Sequence, residues 1–337
     1  MNKRKSEYIP ISVLDLVPVL QGQTVEQSFK NSLDLARHVE QAGYNRYWLA
    51  EHHNMAGIAS SATSVLIAHI AQGTSEIRVG SGGIMLPNHA PLVIAEQFGT
   101  LARLFPGRID LGLGRAPGTD PLTAMALRRN LHESVEDFPR NVQELLRYLS
   151  PENSTGKVRA VFAEGADVPV WLLGSSTYSA QLAALWGLPF SFASHFAPNM
   201  LSASLSLYRQ HFKPSESLQK PYAMAGINVI AAETDEEANY LATSLYLSFL
   251  NVIRGTALPM RPPVENMAEY WTEAEQYAVK QMLSYTFIGS GETVQAKLKA
   301  FIDQTGVDEL MIASNIYDHQ ARKKSYEIVA GRELRKI

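Results

Sequence analysis

The sequence predicts an α/β protein of the (β/α)8, or TIM-barrel, class, formed as a single domain over residues 1–337 with an insertion in the seventh βα unit. Three observations predict it. Short apolar runs alternate with longer stretches of helical period, the pattern of parallel βαβ units. Eight such runs occur in strict alternation across 337 residues, which suits a closed barrel better than an open sheet. No composition shift, internal repeat or low-complexity segment marks a second domain.

The first strand is read at residues 9–16. A helix follows at 24–42, where Phe29, Leu33, Ala36 and Val39 recur at three- and four-residue spacing, and Gly43 suits its C-terminal end. The second strand is 46–50, and its helix, 60–72, is entered through serines able to cap it. The third strand is 77–81 with a helix at 91–104. The fourth is 108–113, followed by a loop and a helix at 134–149. Residues 150–167, with Pro, Asn, Ser and Gly, read as a surface excursion. The fifth strand is 168–173 with a helix at 178–186, the sixth 189–194 with a helix at 199–212, and the seventh 223–231 with a helix at 235–250. An insertion at about 251–286 precedes a helix at 293–304. The eighth strand is 309–313 and the last helix 318–329.

Composition narrows the function. Hydrophobic residues make up 46% and charged residues 19%, enough for a large core. The net charge of -3 offers no basic surface for nucleic acid or an anionic membrane. The absence of cysteine excludes disulfides, thiol nucleophiles, iron–sulfur clusters and cysteine zinc sites. The start of the chain is polar, and the apolar stretch after it is broken by Pro10, Ser12, Asp15 and Pro18. No secretory or bilayer-length run is seen, so the cytoplasm is the default expectation.

In such barrels the active site lies where strands end and βα loops begin. The residues at those points are Glu51-His52-His53, Gly82-Gly83, the stretch 112–118, the stretch 174–179 and His195. Adjacent histidines can be solvated or structural groups. Strand alternation separates them, putting Trp48, Ala50 and His52 on one face and Leu49, Glu51 and His53 on the other. A zinc set of His52, His53, His89 and His195 is conceivable, but no metal-ligand spacing motif supports it, and no metal is expected. Gly82-Gly83 is either a turn or a place where a flat ligand approaches the backbone. The segment Gly112-Leu113-Gly114-Arg115-Ala116-Pro117-Gly118 is neither a Walker A loop nor a dinucleotide fingerprint. Arg115 within it can clamp a phosphate bidentately. In Gly174-Ser175-Ser176-Thr177-Tyr178-Ser179 one serine would serve as a helix cap. The other hydroxyls and the free N–H groups of a helix start suit a phosphate.

These residues also carry a resemblance. Tyr47-Trp48-Leu49-Ala50-Glu51-His52-His53 resembles the W-x-x-E-H-H signature of bacterial luciferase and its relatives. Gly80-Ser81-Gly82-Gly83-Ile84-Met85-Leu86-Pro87 resembles that family's third-strand segment. Ala95-Glu96-Gln97-Phe98, Pro106-Gly107-Arg108 and the glycines at 112 and 114 resemble its A-E-Q…P-G-R…G-x-G run. Residues 171–176 and Gly187-Leu188-Pro189 resemble its fifth-strand segment. The match runs in register from about residue 9 to 200 and is closest to the single-chain luciferase-like monooxygenases.

The resemblance implies a barrel that binds FMN, with reduced FMN supplied by a separate flavin reductase and O2 used to oxidise a small organic substrate. It implies that His52 is the catalytic histidine. Gly82 and Gly83 would lie beside the flavin ring, where a non-proline cis peptide is common, and Arg115, Ser175, Ser176 and Ser179 would contact the flavin phosphate. Luciferase-like barrels also dimerise through helices near the second and third strands. Here those helices carry Val65, Leu66, Ile67, Ile70, Val93, Ile94, Phe98 and Leu101, more than one buried face needs, so a homodimer is expected. The resemblance departs where the luciferase catalytic subunit has an acidic residue in place of Ser175 and a reactive cysteine. These departures bear on light emission and on a long-chain aldehyde preference, and not on flavin binding. Two other readings stand beside this one: a deazaflavin-dependent hydride-transfer enzyme on the same barrel, and a non-catalytic flavin-binding protein, although such relatives lose parts of the barrel and the eight units and His52 are retained here. The insertion, with Pro259, Pro262, Pro263, Tyr270 and Trp271, is expected to cap the pocket and set the substrate.

Overall fold

The computed structural model describes residues 8–127 and 137–331. Eight parallel strands close a barrel: β1 (Ile11–Asp15), β2 (Arg46–Leu49), β3 (Arg78–Met85), β4 (Ile109–Gly114), β5 (Val170–Gly174), β6 (Phe190–Phe192), β7 (Ala223–Ala232) and β9 (Glu309–Ala313). Each neighbour in that order is paired in parallel, and β9 closes onto β1 with Ile11 opposite Leu310. The helices between them are α1 (Val25–Gln41), α2 (Thr63–Gly73), α3 (Pro91–Leu104), α4 (Pro121–Leu127), α5 (Phe138–Leu149), α6 (Thr177–Trp186), α7 (Leu201–His211), α8 (Asp235–Ile253), α9 (Glu273–Met282), α10 (Gly291–Thr305) and α11 (His319–Ala330). The start of the helix expected at 134–149 lies outside the described residues.

Several expectations need correction. A ninth strand, β8 (Thr286–Ser290), was not foreseen. Asn228 pairs with Ala313 of β9 and with Thr286, so β8 lies on the opposite edge of β7 from β9, beyond the end of β6. Third-strand pairing continues past Ser81 to Met85, with a register shift between Ser81 and Ile84, so the two glycines sit inside β3 rather than after it. Helix α2 starts at Thr63 without a serine cap. Its N-cap is Ala62, and the Ser60 hydroxyl instead donates to the Leu16 carbonyl. The excursion at 150–167 is not all surface, since Ala160 and Ala163 are buried and Ala163 packs where Gly99 of α3 leaves no room for a Cβ.

The barrel interior is layered. At the N-terminal end of the strands, Asp110 accepts hydrogen bonds from Arg46 at 2.6 Å, Arg78 at 2.6 Å and the Trp48 indole at 3.1 Å. Glu309 accepts from Arg46 at 3.0 Å, Asn45 at 3.0 Å, Tyr222 at 2.8 Å and the Ser12 hydroxyl. Two carboxylates thus balance two guanidiniums, which lets the charges be buried. Above this plug lie Leu14, Trp48, Trp171, Met224 and Met311, with Trp48 and Trp171 edge to face at 5.2 Å. A second buried pair, Asp15–Arg322 at 2.8 Å, ties β1 to α11, the last helix of the ring. Burial pushes the Asp15 carboxyl up, but Arg322, Ser32 and Tyr47 outweigh it and hold it below the usual range.

Nearer the mouth the inward positions are small. A Cβ added at Gly82 would lie 2.8 Å from Leu14, and one at Gly226 would lie 2.5 Å from His195 Nδ1. The insertion reaches this end. Met260 bridges to Leu20, and the Leu258 carbonyl lies where Gly57 leaves no room for a side chain, so the loops after β1 and β2 are covered by it. Among the described residues no helix is long and apolar enough to cross a membrane.

Candidate active site

Strand β2 ends at Leu49 and delivers Glu51, His52 and His53 to the mouth. Glu51 is buried and accepts four hydrogen bonds. Its Oε1 takes them from His53 Nε2 at 2.8 Å, His89 Nε2 at 2.8 Å and Asn88 Nδ2 at 3.4 Å, and its Oε2 from the Met85 amide at 3.0 Å. Burial pushes this carboxyl up, but the bonds from His89, His53 and Met85 prevail and hold it below the ordinary range. Glu51 therefore clamps the loop after β2 to the end of β3. The metal-ligating atoms of Glu51, His53 and His89 lie within 4.8 Å of one another, already hydrogen-bonded among themselves.

His52 turns away from that clamp. Its Nδ1 lies 3.4 Å from the Gly118 carbonyl in the loop after β4. Burial pushes its pKa down, opposed by Gly118 and the Glu51 charge. His195, at the end of β6, is close enough to His52 for a charge on one to disfavour a charge on the other. Burial first, then His52, lowers the His195 pKa to about 4. The four histidines weighed as a zinc set thus fall into two groups, His53 with His89 and His52 facing His195.

On β3, the strand next to β2, the Gly82–Gly83 peptide is cis. The Arg115 guanidinium lies 4.2 Å from the centroid of the Tyr178 ring, on the first turn of α6. Among the described residues no carboxylate pairs with it. Ser176 is the N-cap of α6 but makes no side-chain capping bond, so the first-turn amides keep their donors. Ser175 is exposed, and Ser179 is buried beneath Gly174, where a Cβ would meet its hydroxyl at 2.7 Å. The fold therefore brings Arg115, Ser175, Ser176 and Ser179 together at one helix start, with the positive end of the helix dipole and a free guanidinium.

Near the mouth, Asn228 was not picked out from the sequence, and the role of His89 was not foreseen. Asn228 gave no signal within an apolar strand. His89 was seen only as a conceivable zinc ligand, because its contact with Glu51 spans 38 residues.

A family model described as luciferase-like monooxygenase matches residues 9–309. A luciferase-like monooxygenase of Escherichia coli (strain K12) is 53% identical, the alignment covering 95% of this chain and 96% of that protein. An N-acetyl-S-alkylcysteine monooxygenase of Bacillus subtilis is 30% identical over 97% of this chain and 98% of its own length. Among solved structures, apo-MsnO8 superposes with a TM-score of 0.86 at 33% identity, covering 96% of this chain and 98% of that one. The oxygenating constituent of 3,6-diketocamphane monooxygenase from Pseudomonas putida, solved with FMN, has a TM-score of 0.72 at 17% identity over 97% of this chain and 98% of that one. An F420-dependent secondary alcohol dehydrogenase has one of 0.70 at 14% identity over 97% and 100%. These last two share the fold.

Proposed function

The chain belongs to the luciferase-like monooxygenase family, and from that premise we propose that it is a single-domain flavin-dependent monooxygenase that uses reduced FMN and O2 to oxidise a small organic substrate. The observation that carries the reading is the meeting of Arg115 with the uncapped first turn of α6. An unpaired guanidinium beside free helix amides and three serines is a donor set for a phosphate dianion. Gly82 and Gly226 are packed against Leu14 and His195, so no side chain of their own projects at these inward positions.

In this proposal Arg115 neutralises the FMN phosphate, and the α6 amides with Ser175, Ser176 and Ser179 hydrogen-bond its oxygens. Gly82 and Gly83 offer bare backbone to the ring. When bound, the reduced flavin supplies the electrons with which O2 is activated. His52, kept neutral by burial, accepts or returns a proton at Nδ1 or Nε2 near the reacting atoms. The insertion, packed over the loops after β1 and β2, excludes water and shapes the substrate pocket.

A separate reductase would supply the reduced flavin, and the cysteine-free composition suits a cytoplasmic setting. We also propose a homodimer, on a narrower basis than the sequence offered. Ile67, Ile70, Ile94, Phe98 and Leu101 are spent on the core, leaving Val65, Val93 and Leu104 exposed on α2 and α3. Light scattering at micromolar concentration should give twice the chain mass, and a monomer mass would overturn it.

The F420-dependent neighbour keeps a deazaflavin enzyme as the second reading. Titration with FMN and with a deazaflavin separates the two. Binding of FMN, and altered reoxidation of photoreduced FMN by O2, is expected. Binding of deazaflavin alone would overturn the proposal.

A further inference from the structure

Two buried polar atoms on the wall formed by β6 and β7 have no hydrogen-bond partner: His195 Nδ1 and Asn228 Oδ1. Asn228 is 1% exposed. Its Nδ2 donates to the His195 carbonyl at 2.6 Å and to Thr286 Oγ1 at 3.2 Å. A carbonyl only accepts, so the amide nitrogen must face it, and Oδ1 is left as a bare acceptor. The His195 ring stands edge to face with Phe196 at 4.8 Å and lies over Gly226, where any side chain would strike Nδ1. The ring is neutral at neutral pH, so Nδ1 can donate or accept. Buried polar groups are normally paired, and an unpaired one is a cost the fold must offset. His195 follows the end of β6, and Asn228 lies within β7 opposite Ala313, the last residue of β9, so both atoms are toward the end of the barrel where this class binds ligands. They belong to different strands but adjoin through the Asn228–His195 hydrogen bond.

We propose that His195 and Asn228 together bind an amide- or ureide-type group in the barrel mouth, Asn228 Oδ1 accepting its N–H and His195 Nδ1 meeting the adjacent polar atom. This rests on the reading of the mouth as a flavin and substrate site. The chemistry has two sources there: the N3–H edge of the flavin ring, flanked by carbonyls, or an amide-bearing organic substrate.

The experiment titrates FMN and N3-methyl-FMN into wild type, His195→Leu, His195→Asn and Asn228→Leu. Asparagine places an amide atom near the position of Nδ1, so it should rescue what leucine loses. If the flavin edge is the ligand, wild type prefers FMN over its N3-methyl analogue by about tenfold, the scale of one net hydrogen bond. Both leucine variants then lose that preference, and His195→Asn keeps it. If the substrate is the source, all four proteins bind FMN within about twofold. N-methylacetamide and benzamide then raise the melting temperature of the wild type and of His195→Asn but not of the leucine variants. The inference is overturned if His195→Leu, melting as the wild type does, binds both flavins unchanged and the amides shift no protein selectively. A wild type that binds no FMN would refute the flavin reading instead, and the amide measurement without flavin would still judge the pair.

Discussion

The Arg115 guanidinium lies 4.2 Å from the Tyr178 ring centroid, so the loop after β4 is held against the first turn of α6. Among the described residues no acceptor takes the guanidinium's N–H groups, which can then meet an anion. Arg115→Ala should weaken FMN binding by about 1.5–3 kcal/mol, the usual worth of a hydrogen bond to a charged group. Riboflavin, which lacks the phosphate, should bind the variant and the wild type alike. An equal loss for both ligands, measured by flavin fluorescence, would remove Arg115 from the phosphate site.

The plug at the other end of the barrel should matter for stability and not for ligand affinity. Asp110 is fully buried and receives both Arg46 and Arg78. Asp110→Ala would leave two guanidiniums with one carboxylate. Breaking a buried pair this way costs about 3–5 kcal/mol. Chemical denaturation should show a loss of that size, with FMN affinity in the folded variant unchanged. A loss near zero would mean that water reaches the plug.

Glu51 gives the fold an acid limit. Its folded pKa lies below its unfolded one, because the bonds from His89, His53 and Met85 outweigh burial. Its stabilising contribution is therefore full above the ordinary carboxylate pKa and is lost as pH falls through the lowered folded value. Glu51→Gln should melt below the wild type at neutral pH, and the gap should close in acid below about pH 4. A gap that stays constant between about pH 3 and 7 would show that the carboxylate's charge is not what holds the clamp.

Much of this was legible from the sequence, for physical reasons. The eight barrel strands announced themselves because strands buried on both faces are apolar runs, such as Ala223–Ala232, buried throughout. The strand Thr286–Ser290 did not, since four of its five residues are only partly buried and carry no apolar run. The seven-residue helix Pro121–Leu127 buries nothing and so has no stripe to read. Glycine hides strands, which is why β3 was expected to stop at Ser81. Strand alternation was carried past the end of β2 at Leu49 to separate His52 from Glu51 and His53, whereas the 2.8 Å Glu51–His53 contact is made in the loop, where alternation does not apply. The His89–Glu51 and Asn228–His195 contacts join distant segments, and no local pattern encodes such a meeting.

The last prediction separates the two adjacent histidines. His53 is bound to Glu51, whereas His52 Nδ1 lies beside the Gly118 carbonyl and, among the described residues, His52 is hydrogen-bonded to no carboxylate. Burial lowers the His52 pKa, so the neutral imidazole prevails at neutral pH and can take a proton when the reaction releases one. General acid–base help of this kind is worth about 10²–10⁴-fold. His52→Ala should hold FMN within a few-fold of wild type and slow substrate oxidation by about two orders of magnitude, with most of the reduced flavin's electrons appearing as hydrogen peroxide. Because only the neutral ring accepts a proton, the wild-type rate should fall on the acid side, below the ordinary histidine range, and that limb should vanish in His52→Ala. His53→Ala removes one of the four donors on Glu51, so it should lower the melting temperature while product formed per reduced FMN stays near wild type. Normal turnover by His52→Ala, or loss of chemistry in a well-folded His53→Ala, would reverse the two roles.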